Sequence, residues 1–157
     1  MISSYKVGDT LKFKNSKGNL ALYLIPRIDS SLHNERGFFM NAREYKDISI
    51  ACHEITNPRR GYDDYSLILI TKYPDEDSIY FNLRLKDFYG INPGDQFCHN
   101  KDTVIVNDFS FSNYYSFRPY NYAQQKDSNS IAKIYMTNDQ GIVAYQYVNG
   151  EWWTKVK

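Results

Sequence analysis

Three histidines, His33, His53 and His99, are the side chains of this sequence that can act as a base near neutral pH without large tuning. Two of them directly follow cysteines, in the pairs Cys52-His53 and Cys98-His99, and thiolate and imidazole are zinc ligands. Adjacent residues of a strand point to opposite faces, so neither pair can share one metal ion without a bulge. We therefore predict no metal, no cofactor and two buried cysteines, as thiols or as a disulfide.

Catalytic motifs are missing as well. The eight glycines fall into no phosphate loop, dinucleotide fingerprint or nucleophile elbow. His53 is expected on a strand as a partly exposed structural residue, and His99 in a solvent-facing polar loop over residues 98–102. We predict no catalytic residue. The rival hypothesis is a hydrolase that pairs His99 or His53 with a nearby carboxylate.

Residues 109–122 hold the most promising binding residues, because seven of these fourteen are aromatic. Strand alternation assigns four of the seven to a core face: Phe109, Phe111, Tyr115 and Phe117. A second set lies near the strand end and in the loop after it, where tyrosine rings can stack on a sugar or anchor a protein partner: Tyr114, Arg118, Tyr120 and Tyr122. The other interpretation is that these tyrosines only cover the edge of a sheet.

Composition restricts the class of protein. The 157 residues include 15 Tyr, 9 Phe and 2 Trp but only 8 Gly and 5 Pro, which excludes a disordered or collagen-like chain. The net charge of +1 provides no field for a nucleic acid. No segment is long and apolar enough to span a bilayer. We expect one domain over residues 1–157, of which residues 1–7 form a polar tail.

Short stretches with period-two alternation predict about ten antiparallel strands, and the clearest covers Ile79 to Leu85. The Asn149-Gly150 pair predicts a type I′ hairpin turn. Only Asn34 to Lys46 and Asp87 to Gly90 show helical spacing, so we expect at most one or two short helices. The predicted fold is an antiparallel β-sandwich, since Leu20 to Ile25 and Tyr65 to Thr71 are apolar on both faces, and a closed β-barrel is the alternative.

The N-terminus leaves two compartments open. The start of the chain has neither the basic residues nor the apolar stretch of a signal peptide, which indicates a cytoplasmic protein if Met1 is native. If Met1 replaces a leader that has been removed, the protein belongs to the cell envelope.

The C-terminal segment from Ile134 to Tyr145, followed by residues 149–153, resembles the end of small uncharacterised lipoproteins of Bacteroidetes. The segments Gly8 to Asn15 and Val104 to Asn107 are similar to that group too. The resemblance implies a cleaved leader with a lipid-modified cysteine and a β-domain at the periplasm or outer-membrane surface. The leader is not in this sequence. An oxidising compartment would favour a Cys52 to Cys98 disulfide.

We therefore predict a non-enzymatic cell-envelope β-domain that binds a protein or a glycan, with no nucleic acid and no membrane contact except through a lipid anchor. A hydrolase and a barrel that carries a small ligand are the alternatives. The abundant large aromatics favour a filled interior over a ligand-carrying barrel.

Overall fold

The protein is built from twelve antiparallel strands in a computed structural model that describes residues 4–35, 43–56, 65–72, 79–85, 88–91, 97–106, 108–119 and 127–156. The strands are β1 (Thr10–Asn15), β2 (Leu20–Leu24), β3 (Ile28–Glu35), β4 (Arg43–Glu54), β5 (Tyr65–Lys72), β6 (Ile79–Leu85), β7 (Phe88–Ile91), β8 (Phe97–Val106), β9 (Phe109–Phe117), β10 (Ile131–Thr137), β11 (Gly141–Tyr147) and β12 (Trp152–Val156). The all-β class is confirmed.

Eleven of the strands form one curled sheet in the order β7-β6-β5-β4-β2-β1-β12-β11-β10-β9-β8, and the curvature is that of a half-barrel. The remaining strand, β3, continues from β2 after a short break and pairs with β4 alongside the same edge. Because β4 pairs with β2, β3 and β5, it joins the two halves of the sheet.

The described residues contain no α-helix, so both predicted helices are wrong where they can be compared. Asn34 and Glu35 end β3, and residues 43–46 begin β4, while Phe88 to Gly90 belong to β7. In each case backbone pairing with a neighbouring strand outweighs a helical spacing of apolar residues. The described part of the chain has no helix of the length and apolarity needed to cross a membrane.

The predicted hairpin at Asn149-Gly150 is present, but its turn is not type I′. Gly150 has φ +86°, whereas Asn149 is not among the residues with positive φ. The Asn149 Oδ1 atom accepts a hydrogen bond of 2.8 Å from the Glu151 backbone N–H. This local bond is typical of asparagine in turns and leaves the left-handed conformation to glycine.

The concave face of the sheet holds the main core. Its fully buried aromatic side chains include Phe13, Tyr23 and Tyr145, and the Phe13 ring makes edge contacts with both tyrosines at centroid distances of 5.9 and 5.2 Å. Cys52 is buried in the same core. These large side chains occupy the described interior of the half-barrel.

The predicted polar tail contains one core residue. Tyr5 is only 4% exposed and belongs to the main core, while the Ser4 hydroxyl bonds to the backbone oxygen of Asp139 at 2.8 Å. Residues 1–3 lie outside the described residues. The segment before β1 therefore packs against the turn between β10 and β11.

Candidate functional site

The hairpin of β8 and β9 bends sharply at Asn113, which has φ +49°. Asn100 lies opposite Tyr114 and Thr103 opposite Ser112, so two residues of β8 face the single residue Asn113. Such a bulge turns a strand out of its ladder. Accordingly β9 pairs with β10 only through residues 114–117. We call the part beyond the bulge, residues 103–106 and 108–112, the hairpin tip.

The hairpin tip folds over the outer face of the sheet. The Phe111 ring lies 5.6 Å from that of Tyr135, and the Tyr135 ring lies 4.9 Å from that of Trp152. Val143 and Ala144 are fully buried in the same cluster. The β10, β11 and β12 strands are therefore covered on both faces, on one by the main core and on the other by this outer cluster.

The break at Asn113 also overturns the prediction of which aromatic side chains of β9 share a face. Simple alternation placed Phe109 and Phe111 on the same face as Tyr115 and Phe117, but the first two belong to the outer cluster and the last two pack with the main core. The left-handed backbone of Asn113, opposite the bulge of β8, interrupts the alternation along β9, so that side chains before and after it point to opposite faces. The prediction that these four form one core face is wrong.

Tyr135, in the outer cluster, has a pKa that is shifted by its surroundings. Burial raises its pKa to about 12, and the neighbouring Tyr114 acts in the same direction, while the positive charge of Arg118 opposes them. The Lys133 Nζ atom lies 5.0 Å from the ring centroid. The Tyr135 phenol is therefore neutral at physiological pH.

A cleft of about 700 Å³ opens beside the hairpin tip. One wall is the tip itself, and the other is formed by the ends of β1 and β12. The lining residues are Lys14, Asn15, Ser16, Asp108, Phe109, Thr154, Lys155 and Val156. Lys14 lies directly opposite Thr154 in the ladder between β1 and β12, and their side chains therefore share the outer face.

Asn15 connects two turns at the end of the cleft through its side-chain hydrogen bonds. Its Oδ1 atom accepts hydrogen bonds from the backbone N–H groups of Lys17 (3.1 Å) and Asn19 (2.8 Å). Its Nδ2 atom donates to Glu151 Oε1 at 2.9 Å, which lowers the pKa of that carboxyl. The turn between β1 and β2 is thereby fixed to the turn between β11 and β12.

The cleft offers binding groups rather than a reactive centre. The Lys14 ammonium and the Asp108 carboxylate are charged, the hydroxyls of Ser16 and Thr154 donate and accept hydrogen bonds, and the Phe109 ring is half-buried. Neither histidine nor cysteine is among the described residues that line it.

The binding residues predicted from sequence are separated by the structure. Tyr114 is 8% exposed, and its ring makes an edge contact with Phe111 at 5.3 Å. Arg118 is exposed just after β9, near Tyr135. Tyr120 and Tyr122 lie outside the described residues, as does the side chain of Cys98, so the Cys52 to Cys98 disulfide stays a prediction.

The histidines are distributed over the sheet. His99 is exposed as expected, but it lies in strand β8 rather than in a loop, and its ring stacks on Tyr115 at 4.8 Å. His33 Nε2 lies 3.5 Å from Asp47 Oδ2, and the Thr71 hydroxyl donates a 2.6 Å hydrogen bond to the other oxygen of Asp47. Within the described ranges, no three metal-ligating side chains cluster.

Comparison of the chain with protein-family models, with curated proteins and with solved structures found no match in any of the three. The relationship to Bacteroidetes lipoproteins therefore stays a prediction that depends on the quoted sequence segments.

Proposed function

We propose that the protein is a non-enzymatic binding domain that takes a glycan in the cleft between the hairpin tip and the ends of β1 and β12. The observation that carries this proposal is the combination of one aromatic ring, Phe109, with charged and hydroxyl groups around a single concavity. Sugars present apolar C–H faces bordered by hydroxyls, so they need a ring to stack on and hydrogen-bonding groups at its margin.

The size and charge of the cleft support this ligand class. Small-molecule sites enclose roughly 300 to 1,000 Å³, and a cleft of about 700 Å³ suits a short oligosaccharide. Lys14 and Asp108 carry opposite charges. The second lining lysine, Lys155, is paired with Phe13 on the other face, and its Nζ atom donates a 2.7 Å hydrogen bond to the Gln140 carbonyl oxygen. The lining therefore favours a neutral, hydroxyl-rich ligand over a strongly anionic one.

The two other functions have less support. For a hydrolase, His33 and Asp47 form a pair on β3 and β4. The Thr71 hydroxyl donates its hydrogen bond to the Asp47 carboxylate and not to a histidine, which is not the arrangement of a hydroxyl nucleophile activated by a histidine base. For a barrel that carries a ligand, the described interior is occupied by Phe13, Tyr23 and other buried residues.

Within the all-β class, we infer a sandwich-like packing in which the hairpin tip forms a second layer on a half-barrel sheet.

We also infer a cell-envelope location and a Cys52 to Cys98 disulfide, both from the lipoprotein resemblance. The masses of the purified protein, alkylated with and without prior reduction, test the disulfide. Two alkylated thiols without reduction would rule it out.

Affinity gel electrophoresis against a panel of soluble plant and bacterial polysaccharides tests the proposed function. We expect at least one polysaccharide to retard the protein, and the variants Asp108→Ala and Phe109→Ala to lose this retardation. Ile105→Ala is the matched control, because Ile105 is on the same hairpin tip but 74% exposed. If no polysaccharide retards the wild-type protein, or if Asp108→Ala is retarded equally, glycan binding in the cleft is wrong.

A further inference from the structure

Strand β2 is apolar on both faces, but only one face is fully buried. Ala21 and Tyr23 point into the main core and are buried. The alternate residues Leu20, Leu22 and Leu24 point outward, and Leu20 is 52% exposed. The sequence pattern is that of a strand covered on both sides, but Leu20 is exposed and Leu22 and Leu24 are only half-buried, so the described residues cover the outer row of leucines in part.

The apolar surface extends from β2 to β4. The backbone N–H of Ile55 donates to the Leu22 carbonyl oxygen at 2.8 Å, and the Ile55 side chain is 44% exposed. Leu24 pairs with His53, which places the half-buried His53 ring at the Leu24 end of the leucine row. We call the surface formed by Leu20, Leu22, Leu24 and Ile55 the leucine face.

A row of positive charge borders the leucine face. Lys12 lies directly opposite Leu22, and Lys14 directly opposite Leu20, so both lysines are on the same outer face. Both are exposed, and neither forms an ion pair with another residue in the described ranges. The carboxylate-bearing residue of the adjoining strand, Glu54, pairs with Tyr23 and therefore points to the opposite face.

We propose that the leucine face docks an acidic amphipathic helix of a partner protein. Successive leucines on one face of a strand are about 6.7 Å apart, and helix residues four positions apart are separated by about 6 Å, so a helical apolar stripe matches the leucine row. Helices are the usual cover of an apolar sheet face. Glutamates beside that stripe would meet Lys12 and Lys14.

The surrounding charges favour a protein over an anionic membrane. Glu151 lies near the same end of β1, where it is paired with Lys17, and Asp108 lines the cleft beside Lys14. Segments that bind anionic membranes typically carry clusters of about four to eight basic residues. The lysine row has two, Lys12 and Lys14, and the nearby Lys17 is already paired with Glu151, so the charge suits a single acidic helix better than a bilayer. The proposal does not depend on glycan binding.

Two designed helical peptides provide the test. Both carry leucines four residues apart, one flanked by glutamates and the other by lysines, and binding is followed by fluorescence anisotropy. We expect the wild-type protein to bind the acidic peptide at least tenfold more tightly than the basic one. Leu20→Ser should weaken binding of both peptides, and Lys12→Glu should reverse the preference between them.

The control variant is Leu32→Ser, because Leu32 is 67% exposed but lies on β3, away from the leucine face. This variant should bind the acidic peptide as the wild-type protein does. The proposal is wrong if the wild-type protein does not bind the acidic peptide, or if Leu20→Ser and Leu32→Ser weaken binding equally. Binding only to phosphatidylglycerol vesicles would indicate a membrane surface instead and would also overturn it.

Discussion

The phenol ring of Tyr5 packs directly on the Cα atom of Gly141, and its hydroxyl accepts a 2.7 Å hydrogen bond from the backbone N–H of Ile142. A Cβ atom at residue 141 would overlap the ring. Gly141 also has φ +69°, a conformation that suits glycine. This contact joins the segment before β1 to the turn between β10 and β11, far apart in the sequence.

Gly141→Ala should destabilise the protein by about 2 to 4 kcal/mol, because it combines a left-handed backbone with overlap in a packed core. Gly150→Ala is the control, since Gly150 has φ +86° but open space around its Cα, and should cost only about 1 kcal/mol from the left-handed backbone. Urea unfolding measures both free energies. Equal losses for the two variants would show that the Tyr5 ring imposes no packing constraint on Gly141.

Tyr5→Phe should cost about 1 to 3 kcal/mol, because it leaves the buried Ile142 N–H without its acceptor. The matched control is Tyr89→Phe. The Tyr89 hydroxyl accepts an exposed hydrogen bond from Asn82, so its removal should change the unfolding free energy by less than about 0.5 kcal/mol. Hydrogen exchange at Ile142 should accelerate in the Tyr5 variant alone, and unchanged exchange there would contradict the assignment.

Alkaline pH should unfold the protein. Burial raises the pKa of Tyr135 from 10.0 to about 12 and raises the pKa values of Tyr5 and Tyr145 as well. The folded protein keeps these protons at pH values where the unfolded chain has lost them. The stabilisation is therefore complete below pH 10.0 and is lost progressively as the pH rises toward the folded values.

Urea unfolding on both sides of pH 10.0, with tyrosinate absorbance recorded in parallel, measures this effect. Tyr135→Phe should reduce the slope of stability against pH above that value. A stability that stays constant up to about pH 12 would show that the buried phenols do not control alkaline unfolding.

The hairpin tip should depend on Phe111. Phe111→Ala removes a 6% exposed ring from the outer cluster and should cost about 3 kcal/mol or more. The comparison variant Ile105→Ala, on the exposed side of the tip, should be within about 0.5 kcal/mol of the wild-type protein. Amide exchange in residues 103–112 should be faster in the first variant. If exchange does not change, the tip is held by other contacts.

The sequence predicted local features well where the physical cause is local. Alternation in Leu11 and Phe13 or in Leu83 and Leu85 identified strands with one buried face, because a strand packed on one side must place apolar residues at every second position. Gly150 marked a hairpin because glycine tolerates positive φ. Strand β3 was missed because it is polar and mostly exposed, so no alternation is required of it.

The candidate site could not be predicted in this way. Residues 14–16, 108–109 and 154–156 meet only because β1 pairs with β12 and the hairpin tip bends at Asn113. The aromatic run drew attention to residues 109–122 but assigned Phe109 and Phe111 to the wrong face, because the left-handed backbone at Asn113 breaks the alternation of β9.

From sequence alone the protein is an all-β domain with alternating strands, aromatic core residues and near-zero net charge, because these follow from residue type and local spacing. Tertiary structure alone decided the curvature of the sheet, the burial of Tyr5 against Gly141, the position of the cleft and the exposure of the leucine face. Each of these depends on which strands pair and where a ladder is interrupted. Such contacts join residues distant in the chain, and their free energies leave no local pattern in the sequence.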